Sequence, residues 1–307
     1  MKFTKTAVAL AIAGVAAAPM IASADTTLSG VVEIQLTGTD ADGDEGDARF
    51  AADDVLFGIN TEHALNSGVT GYGSLRVDIN RLSNEGRSTF DPGTPGNDED
   101  DTEVTTLGSA DSVYVGIKGG FGDVRFGEVP VAVEVGQVAN DIFDVAGDIN
   151  GGVSYTGSFG PVTVVTNWAP EQNEDALGIG VKLGLGGFSI GVGAEERADL
   201  NNVAVGATFA FAGASIGAHY WNQEDGGDGD LESVSGQIGY GFGGVSATLT
   251  VSAAEDDGPV DLEAVRIDLG YDLGGGMNLS ARITDETDNN TAANDLASYR
   301  VKLSKTF

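Results

Sequence analysis

The run VTGYGSLRVDIN, residues 69–80, decides the fold class. Apolar side chains or glycines occupy its odd positions, and polar side chains occupy its even positions. This period of two is typical of a β-strand with one apolar face and one wet face. The same alternation returns at residues 113–118, 245–252, 265–271 and 277–284, so the sequence predicts an all-β fold.

Two classes of break separate the predicted strands and alternate along the chain. The short breaks contain glycine and lie at residues 66–68, 119–122, 158–161, 186–187, 212–213, 243–244 and 274–276. The longer breaks are often acidic and lie near residues 38–49, 83–110, 130–150, 170–176, 197–202, 223–232, 255–261 and 285–296. Glycine suits a tight hairpin because it adopts positive φ without steric cost. Seven short and eight long breaks predict sixteen strands, with both termini at the end that carries the short turns.

Residues 1–24 have the composition of a secretory signal peptide. Lysines precede the apolar residues 7–18, and the small residues at 22–24 form a cleavage site. The apolar run is shorter than the ~20 residues that a spanning helix needs. We therefore expect an exported chain that begins at about Asp25, with residues 25–307 forming a single transmembrane domain.

Composition excludes several classes of partner. The chain has no cysteine, so its stability depends on a core or a closed sheet and not on disulfides. Its 47 acidic residues against 15 Lys and Arg give a net charge of -32. Such a charge repels the phosphates of nucleic acids and disfavours binding to anionic lipid through a basic patch.

The alternation of short and long breaks distinguishes between two all-β architectures. A soluble β-sandwich also alternates its side chains, but nothing in that fold would place all long loops at one end. A transmembrane barrel accounts for short periplasmic turns, longer extracellular loops, an apolar outer face and a polar lumen. It also leaves no unpaired backbone in hydrocarbon, and sixteen strands enclose a lumen wide enough for water. The sequence therefore predicts a sixteen-stranded antiparallel up-and-down β-barrel.

Three segments resemble the general diffusion porins of Gram-negative bacteria, in the β- and γ-proteobacterial branch. The hairpin VYVGIKGGFGDVRFG, residues 113–127, is similar to their YVGLKGGFG hairpin with its following glycine. The last strand YRVKLSKTF, residues 299–307, resembles the terminal strand of outer-membrane barrels, although Lys305 stands where an apolar residue is usual. The opening TLSGVVEIQL, residues 27–36, is similar to the porin TLYG start, with Ser29 in place of tyrosine.

The resemblance implies an outer-membrane channel for ions and small hydrophilic solutes, assembled as a homotrimer among outer-membrane lipid and lipopolysaccharide. It implies no cofactor, no metal and no catalytic residue. It also implies that the barrel-assembly machinery reads the outward-facing residues of the terminal strand, namely Tyr299, Val301, Leu303 and Phe307.

The third long break, residues 130–150, is too apolar for a free surface loop. In porins the loop at this place folds into the barrel and narrows it, which implies a constriction with Glu134, Asp141, Asp144 and Asp148 as its acidic side chains. Porins place basic side chains on the opposite wall, and the strand alternation puts Arg76, Lys118, Arg125, Arg266 and Arg282 on polar faces. This set has fewer basic side chains than porins often have, so we expect a pore of net negative potential that prefers cations.

Several alternatives stay open at this level. The barrel could be a substrate-selective channel, a surface receptor or an adhesin, and an acidic all-β binding protein that is simply secreted is less well supported. An outer-membrane lipase or protease is disfavoured because no nucleophile motif is present. The adjacent Glu195 and Glu196 lie on opposite faces of a strand, so they are poorly placed to act together as an acid/base pair. The acidic run at 40–46 does not match a calcium-binding EF-hand loop, so only weak divalent binding remains an option. Aromatic residues near strand ends are candidates for interfacial girdles: Trp168, Trp221, Tyr220, Tyr240, Phe188, Phe242 and Tyr271.

Overall fold

The computed structural model describes residues 25–41, 44–45, 48–65, 68–79, 87–90, 102–105, 109–137, 142–143, 149–170, 175–225, 229–256, 261–289 and 296–307. Sixteen long strands run through this part of the chain: β1 (Asp25–Ala41), β2 (Arg49–Ala64), β3 (Thr70–Asp78), β4 (Ser109–Gly119), β5 (Gly122–Val129), β6 (Ile149–Phe159), β7 (Val162–Ala169), β8 (Ala176–Leu185), β9 (Phe188–Arg197), β10 (Leu200–Phe211), β11 (Ala214–Asp225), β12 (Gly229–Phe242), β13 (Val245–Asp256), β14 (Asp261–Gly274), β15 (Met277–Asp288) and β16 (Leu296–Thr306). Each strand pairs antiparallel with its neighbours in the chain.

The sheet closes on itself through its first and last strands. β1 and β16 pair antiparallel from Val31 opposite Thr306 to Ala41 opposite Leu296. Beyond the last paired residue, the Gly30 amide donates to the Phe307 carbonyl at 3.0 Å and the Phe307 amide donates to the Gly30 carbonyl at 3.1 Å. The predicted closed, sixteen-stranded, up-and-down barrel is therefore confirmed.

Three short strands and one helical turn among the described residues lie outside this pattern. The two-residue strand Asp44–Glu45 extends the pairing of β1, and Arg87–Phe90 pairs with Thr102–Thr105 in a separate two-stranded sheet. A single turn of 3-10 helix spans Ala132–Gly136. Within the described residues, no helix is both long and apolar enough to cross a membrane.

The alternation read from the sequence separates the two faces of the barrel wall. On β14, Val265, Ile267 and Leu269 point outward and are 46%, 45% and 50% exposed. Arg266 and Asp268 lie between them and face the lumen, where they are partly buried. An apolar outer face around a polar interior is the arrangement that a barrel needs in lipid.

One break departs from the predicted sorting of lengths. The chain passes from β9 to β10 at the long-loop end through Ala198 and Asp199 alone, and Arg197 pairs directly with Leu200. Ala198 adopts positive φ (52°), as a tight turn requires. The predicted long break at 197–202 is therefore wrong, because Arg197 and residues 200–202 belong to paired strand ends and only Ala198 and Asp199 form the turn.

Aromatic rings from β16 cover glycines of β1 at the closing seam. The ring of Phe307 lies against Gly30 and the ring of Tyr299 lies against Gly38, so that a Cβ at either glycine would overlap with the ring. Tyr299, Val301, Leu303 and Phe307 all point outward, as the strand alternation predicts. The seam thus combines backbone pairing with aromatic packing on its outer face.

Lys305, the residue that breaks the apolar pattern of the terminal strand, bends back to the backbone. Its ammonium group donates to the Gly275 carbonyl at 2.7 Å and to the Thr306 carbonyl at 2.5 Å. A lysine near a strand end can keep its charge in polar surroundings in this way.

Replacing Gly38 with valine should destabilise the seam. The branched side chain would displace the Tyr299 ring, and overpacking of this kind costs about 1–3 kcal/mol. The temperature at which the folded barrel loses its fast electrophoretic mobility would then fall. Gly120→Ala is the matched control, because a Cβ there meets no atom within 4 Å. Equal shifts in the two variants would contradict the packing role.

Candidate pore constriction

The segment that follows β5 folds into the barrel. Its 3-10 helix, Ala132–Gly136, contacts the inner faces of β8, β9 and β10. Val131 and Val133 are no more than 1% exposed, so these two apolar side chains are fully covered. The inward-folded part of the loop thus lines one side of the lumen.

Glycines on the wall provide the space in which the loop lies. Gly180, Gly191 and Gly193 face the lumen on β8 and β9, directly beneath the backbone of residues 132–135. A Cβ at Gly193 would lie 2.5 Å from the Val133 carbonyl oxygen, and one at Gly191 would overlap with the Val135 carbonyl. Because the obstacle in each case is backbone, no side chain could move aside to admit a larger residue.

A buried polar chain fixes the loop to the wall. The Ala132 amide donates to Asn167 Oδ1 at 2.7 Å, and Asn167 Nδ2 donates to Glu195 Oε2 at 3.0 Å. Asn167 and Glu195 are only 2% and 3% exposed. The amide of Asn167 therefore connects the loop backbone on one side with a buried carboxylate on the other.

An apolar cluster completes the attachment. It contains Val129, Val131, Val133, Ile149, Ala169, Ala176, Ala204 and Trp221, with Leu231 packed against it. Val129 ends β5 and Ile149 begins β6, so both ends of the third loop are anchored in this cluster. Val131 and Val133, two of the apolar residues that made the loop unusual in sequence, form its packing contacts in this cluster.

Trp221 corrects the predicted aromatic girdle. It is 2% exposed and faces the lumen, because it pairs across the sheet with the inward-facing Ala204. Its proximity to a strand end suggested an interfacial position, but its parity on β11 places it inside. Trp168, Tyr240, Phe242, Tyr271 and Phe188 do point outward.

The four acids predicted for the constriction are only partly described. Glu134 lies on the 3-10 helix and is partly buried. Asp141, Asp144 and Asp148 lie outside the described residues, which in this stretch include Ile142 and Phe143. Among these four acids, Glu134 is the one that the described residues place on the inward-folded segment.

The five predicted bases all lie on inner faces and form two groups. On β3–β5, Arg76 is ion-paired with Asp111, the Lys118 ammonium lies 3.0 Å from Glu62, and the Arg125 guanidinium stacks 4.2 Å from the ring centre of Tyr114. Tyr72, next to Tyr114, donates its hydroxyl to Asp123 and also lies beneath Lys118. On β14 and β15 lie Arg266 and Arg282, and Arg282 Nε is 2.6 Å from Asp268 Oδ1.

Sequence reasoning missed two bases of the terminal strand. Arg300 and Lys302 face the lumen on β16, between the outward-facing residues of the predicted assembly signal. Lys302 Nζ lies 2.7 Å from Glu33 and 3.3 Å from Asp53. The alternation of Tyr299, Val301 and Leu303 contained the signal for both residues, because the positions between them must face inward.

The acids around Lys302 could in principle attract a metal ion. Glu33, Asp53 and Asp54 bring carboxylate oxygens within 4.8 Å of one another. The Lys302 ammonium lies against Glu33 and Asp53 and already supplies positive charge there. Lys302, Glu33 and Asp53 therefore form a salt-bridge network of the wall.

The order of the strands sets the two sides of the lumen. β9, which carries the loop, is eight strands from β1 in the closed ring. The wall formed by β16, β1 and β2 therefore lies across the lumen from the wall that holds the loop. The third loop and a charged wall thus face each other across the lumen of a closed sixteen-stranded barrel.

The family model for Gram-negative porins matches residues 6–306. The chain belongs to this family. A search of curated protein sequences finds no match. Family membership and the barrel fold place this porin in the outer membrane, where it forms a channel.

Solved structures of porins share the fold of the chain. OmpT of Vibrio cholerae in its trimer form superposes with a TM-score of 0.65 at 13% identity, covering 93% of this chain and 100% of that one. OmpF of Salmonella typhi in complex with daunomycin gives 0.68 at 13% identity, covering 92% and 97%. A mutant of the Rh. blastica porin gives 0.64 at 17% identity, covering 92% and 100%. At these identities the likeness concerns the fold alone.

Replacing one of the wall glycines beneath the loop with a larger residue should displace the loop of this porin. In Gly191→Val the new side chain would occupy the place of the Val135 carbonyl, so the loop could no longer lie on β9. We expect a larger single-channel conductance in planar bilayers. Gly184→Val is the matched control on the neighbouring strand β8, because a Cβ there lies 3.9 Å from the nearest atom. An unchanged conductance in Gly191→Val would contradict the position of the loop.

Removing the hydrogen bonds that Asn167 makes to the loop backbone and to Glu195 should loosen the loop. Asn167→Ala leaves the Ala132 amide and the Glu195 carboxylate without this partner, and leaving a buried polar group unsatisfied costs about 1–3 kcal/mol. We expect greater open-channel current noise in single-channel recordings. Glu195→Gln keeps an acceptor oxygen for Asn167 Nδ2 and should stay as quiet as the wild type. Equal noise in the two variants would show that these hydrogen bonds do not hold the loop.

Proposed function

We propose that the porin forms a water-filled channel for passive diffusion of ions and small hydrophilic solutes, and that the channel prefers cations. The observation that carries this proposal is that residues 131–137 are fixed inside the closed barrel. A loop segment held against one wall narrows the lumen but does not pack it full of side chains. Glu134 and the acidic residues at 141, 144 and 148 would present carboxylates to the passing solute. Polar solutes pass through such a lumen, whereas apolar solutes cannot replace the water that they displace.

The balance of charge on the wall supports the cation preference. Arg76, Lys118 and Lys302 each lie against a carboxylate of the wall. Their positive charge is therefore largely neutralised locally, while the chain as a whole carries a net charge of -32. A pore with net negative potential concentrates cations and raises their share of the current.

The assembly and targeting of the channel follow the same family pattern. We propose a homotrimer, by analogy with the trimer form of OmpT, set in outer-membrane lipid and lipopolysaccharide. Residues 1–24 would direct export and be cleaved before about Asp25. The barrel-assembly machinery would then read Tyr299, Val301, Leu303 and Phe307. Transport requires no catalysis and no cofactor.

A reversal potential in a salt gradient tests the proposal. With potassium chloride across a planar bilayer that contains the purified channel, we expect the sign that corresponds to potassium crossing faster than chloride. Glu134→Gln should reduce this potential, because it removes a negative charge from the inward-folded loop. Glu196→Gln is the matched control, since it removes the same charge from an exposed position on β9 that does not face the lumen. A reversal potential that indicates chloride preference in the wild type would overturn the cation preference.

A further inference from the structure

A cavity of about 470 Å³ lies on the inner faces of the first four strands, at the barrel end that carries the short turns. Among its lining residues, Asn60, Ser74 and Tyr114 are successive cross-strand neighbours on β2, β3 and β4, and Glu62 is the cross-strand neighbour of Tyr72. The volume falls within the range of about 300–1,000 Å³ that small-molecule sites have. The cavity is separate from the constriction, because the third loop contacts β8, β9 and β10.

A hydrogen-bonded row of polar side chains forms one side of the cavity. Ser74 Oγ donates to Asn60 Oδ1 at 2.8 Å, and Asn60 Nδ2 donates to Ser29 Oγ at 3.1 Å. The amide of Asn60 and the hydroxyl of Ser74 each have the capacity for a further hydrogen bond. The row therefore holds polar atoms in fixed positions from which the hydroxyl of a solute can be bound.

The charged pair in the cavity suits hydroxyl groups better than it suits ions. The Lys118 ammonium lies 3.0 Å from Glu62, and the two side chains are 45% and 55% exposed, so a solute can reach both. A solute hydroxyl can accept from the ammonium and donate to the carboxylate without separating the pair. A charged solute would instead have to displace one member of the pair from the other.

Two tyrosine rings supply the apolar part of the cavity. The ring centres of Tyr72 and Tyr114 are 6.1 Å apart, with an angle of 73° between the ring planes. The Tyr72 hydroxyl donates to Asp123 and the Arg125 guanidinium stacks on Tyr114, so both rings are held in place. Aromatic surface beside a few placed polar groups is the usual composition of a small-molecule site. A sugar presents both matching surfaces, because its ring C–H groups are apolar and its hydroxyls are polar.

We infer that this cavity is a binding subsite for neutral polyhydroxylated solutes of the size of a small sugar. The inference rests on the proposed function, because such a solute reaches the cavity through an open lumen. The lining contains two carboxylates, of Asp25 and Glu62, and one ammonium group, of Lys118, so it disfavours negatively charged solutes. Binding here would make the passage of sugars saturable, whereas passive diffusion alone rises in proportion to concentration.

Inhibition of the ion current by sugars tests the subsite. Potassium current through the wild-type channel in a planar bilayer is recorded while glucose, its anionic analogue gluconate, or a polyethylene glycol of matched hydrodynamic radius is added. The current is corrected for the conductivity of the bulk solution. We expect a saturable decrease with glucose and a weaker one with gluconate. The polyethylene glycol only excludes volume, so its effect should rise in proportion to its concentration.

Two variants of the polar row and one matched control locate the effect. Asn60→Ala should weaken glucose binding about fivefold, which corresponds to the loss of one hydrogen bond of about 1 kcal/mol. Ser74→Ala should weaken it in the same direction. Ser189→Ala is the control, because Ser189 also faces the lumen near a short turn, on β9, where its hydroxyl shares a hydrogen bond with Thr208. Its dissociation constant for glucose should stay within about twofold of the wild type. Only variants that keep the heat-modifiable mobility of the folded barrel are compared.

The outcomes separate this inference from the proposed function. A glucose effect that does not saturate, or that changes equally in Asn60→Ala and Ser189→Ala, would overturn the subsite while the recorded current still supports the channel. Tighter binding of gluconate than of glucose would overturn it as well. Absence of any current from the folded wild-type protein would instead count against the channel itself. Saturable inhibition that weakens in Asn60→Ala and Ser74→Ala and persists in Ser189→Ala establishes the subsite.

Discussion

Closure of the β-sheet is the constraint on which the rest of the structure depends. In hydrocarbon an unpaired backbone N–H or C=O costs several kcal/mol, because no water is present to bind it. The pairing of β1 with β16 removes both edges of the sheet at once, and the reciprocal hydrogen bonds between Gly30 and Phe307 extend it to the last residue. Closure also creates an inside, and the inward-folded loop and the charged wall of this porin lie there.

The position of the third loop inside the barrel depends on wall residues that have no side chain. Glycines on β8 and β9 let the backbone of the third loop approach the backbone of the wall, and a buried amide and carboxylate fix it there. The same apolar residues that would be unfavourable on a free loop become favourable once the wall covers them. The described part of the loop, residues 131–137, is held in this way and keeps Glu134 at a fixed place relative to the wall.

Many charges of the wall are arranged as local pairs. Arg76, Lys118, Arg282 and Lys302 each lie against a carboxylate of another strand, which limits both the repulsion within the wall and the field that a solute meets. Arg282 also has a second base, Arg300, as its cross-strand partner on β16. A barrel can hold such side chains together because sixteen paired strands fix the register between them.

The sequence by itself determined the faces of the strands, their number and the outward residues of the terminal strand, because a period of two depends only on residues within one segment. It also marked residues 130–150 as unusual by their apolar content. Only the tertiary structure decided that Ala132, Asn167 and Glu195 meet, that residues 198–199 form a tight turn, and that Lys302 contacts Glu33 from the other end of the chain. Such contacts depend on the register between strands and on closure of the sheet, and no local pattern of side chains encodes either of them.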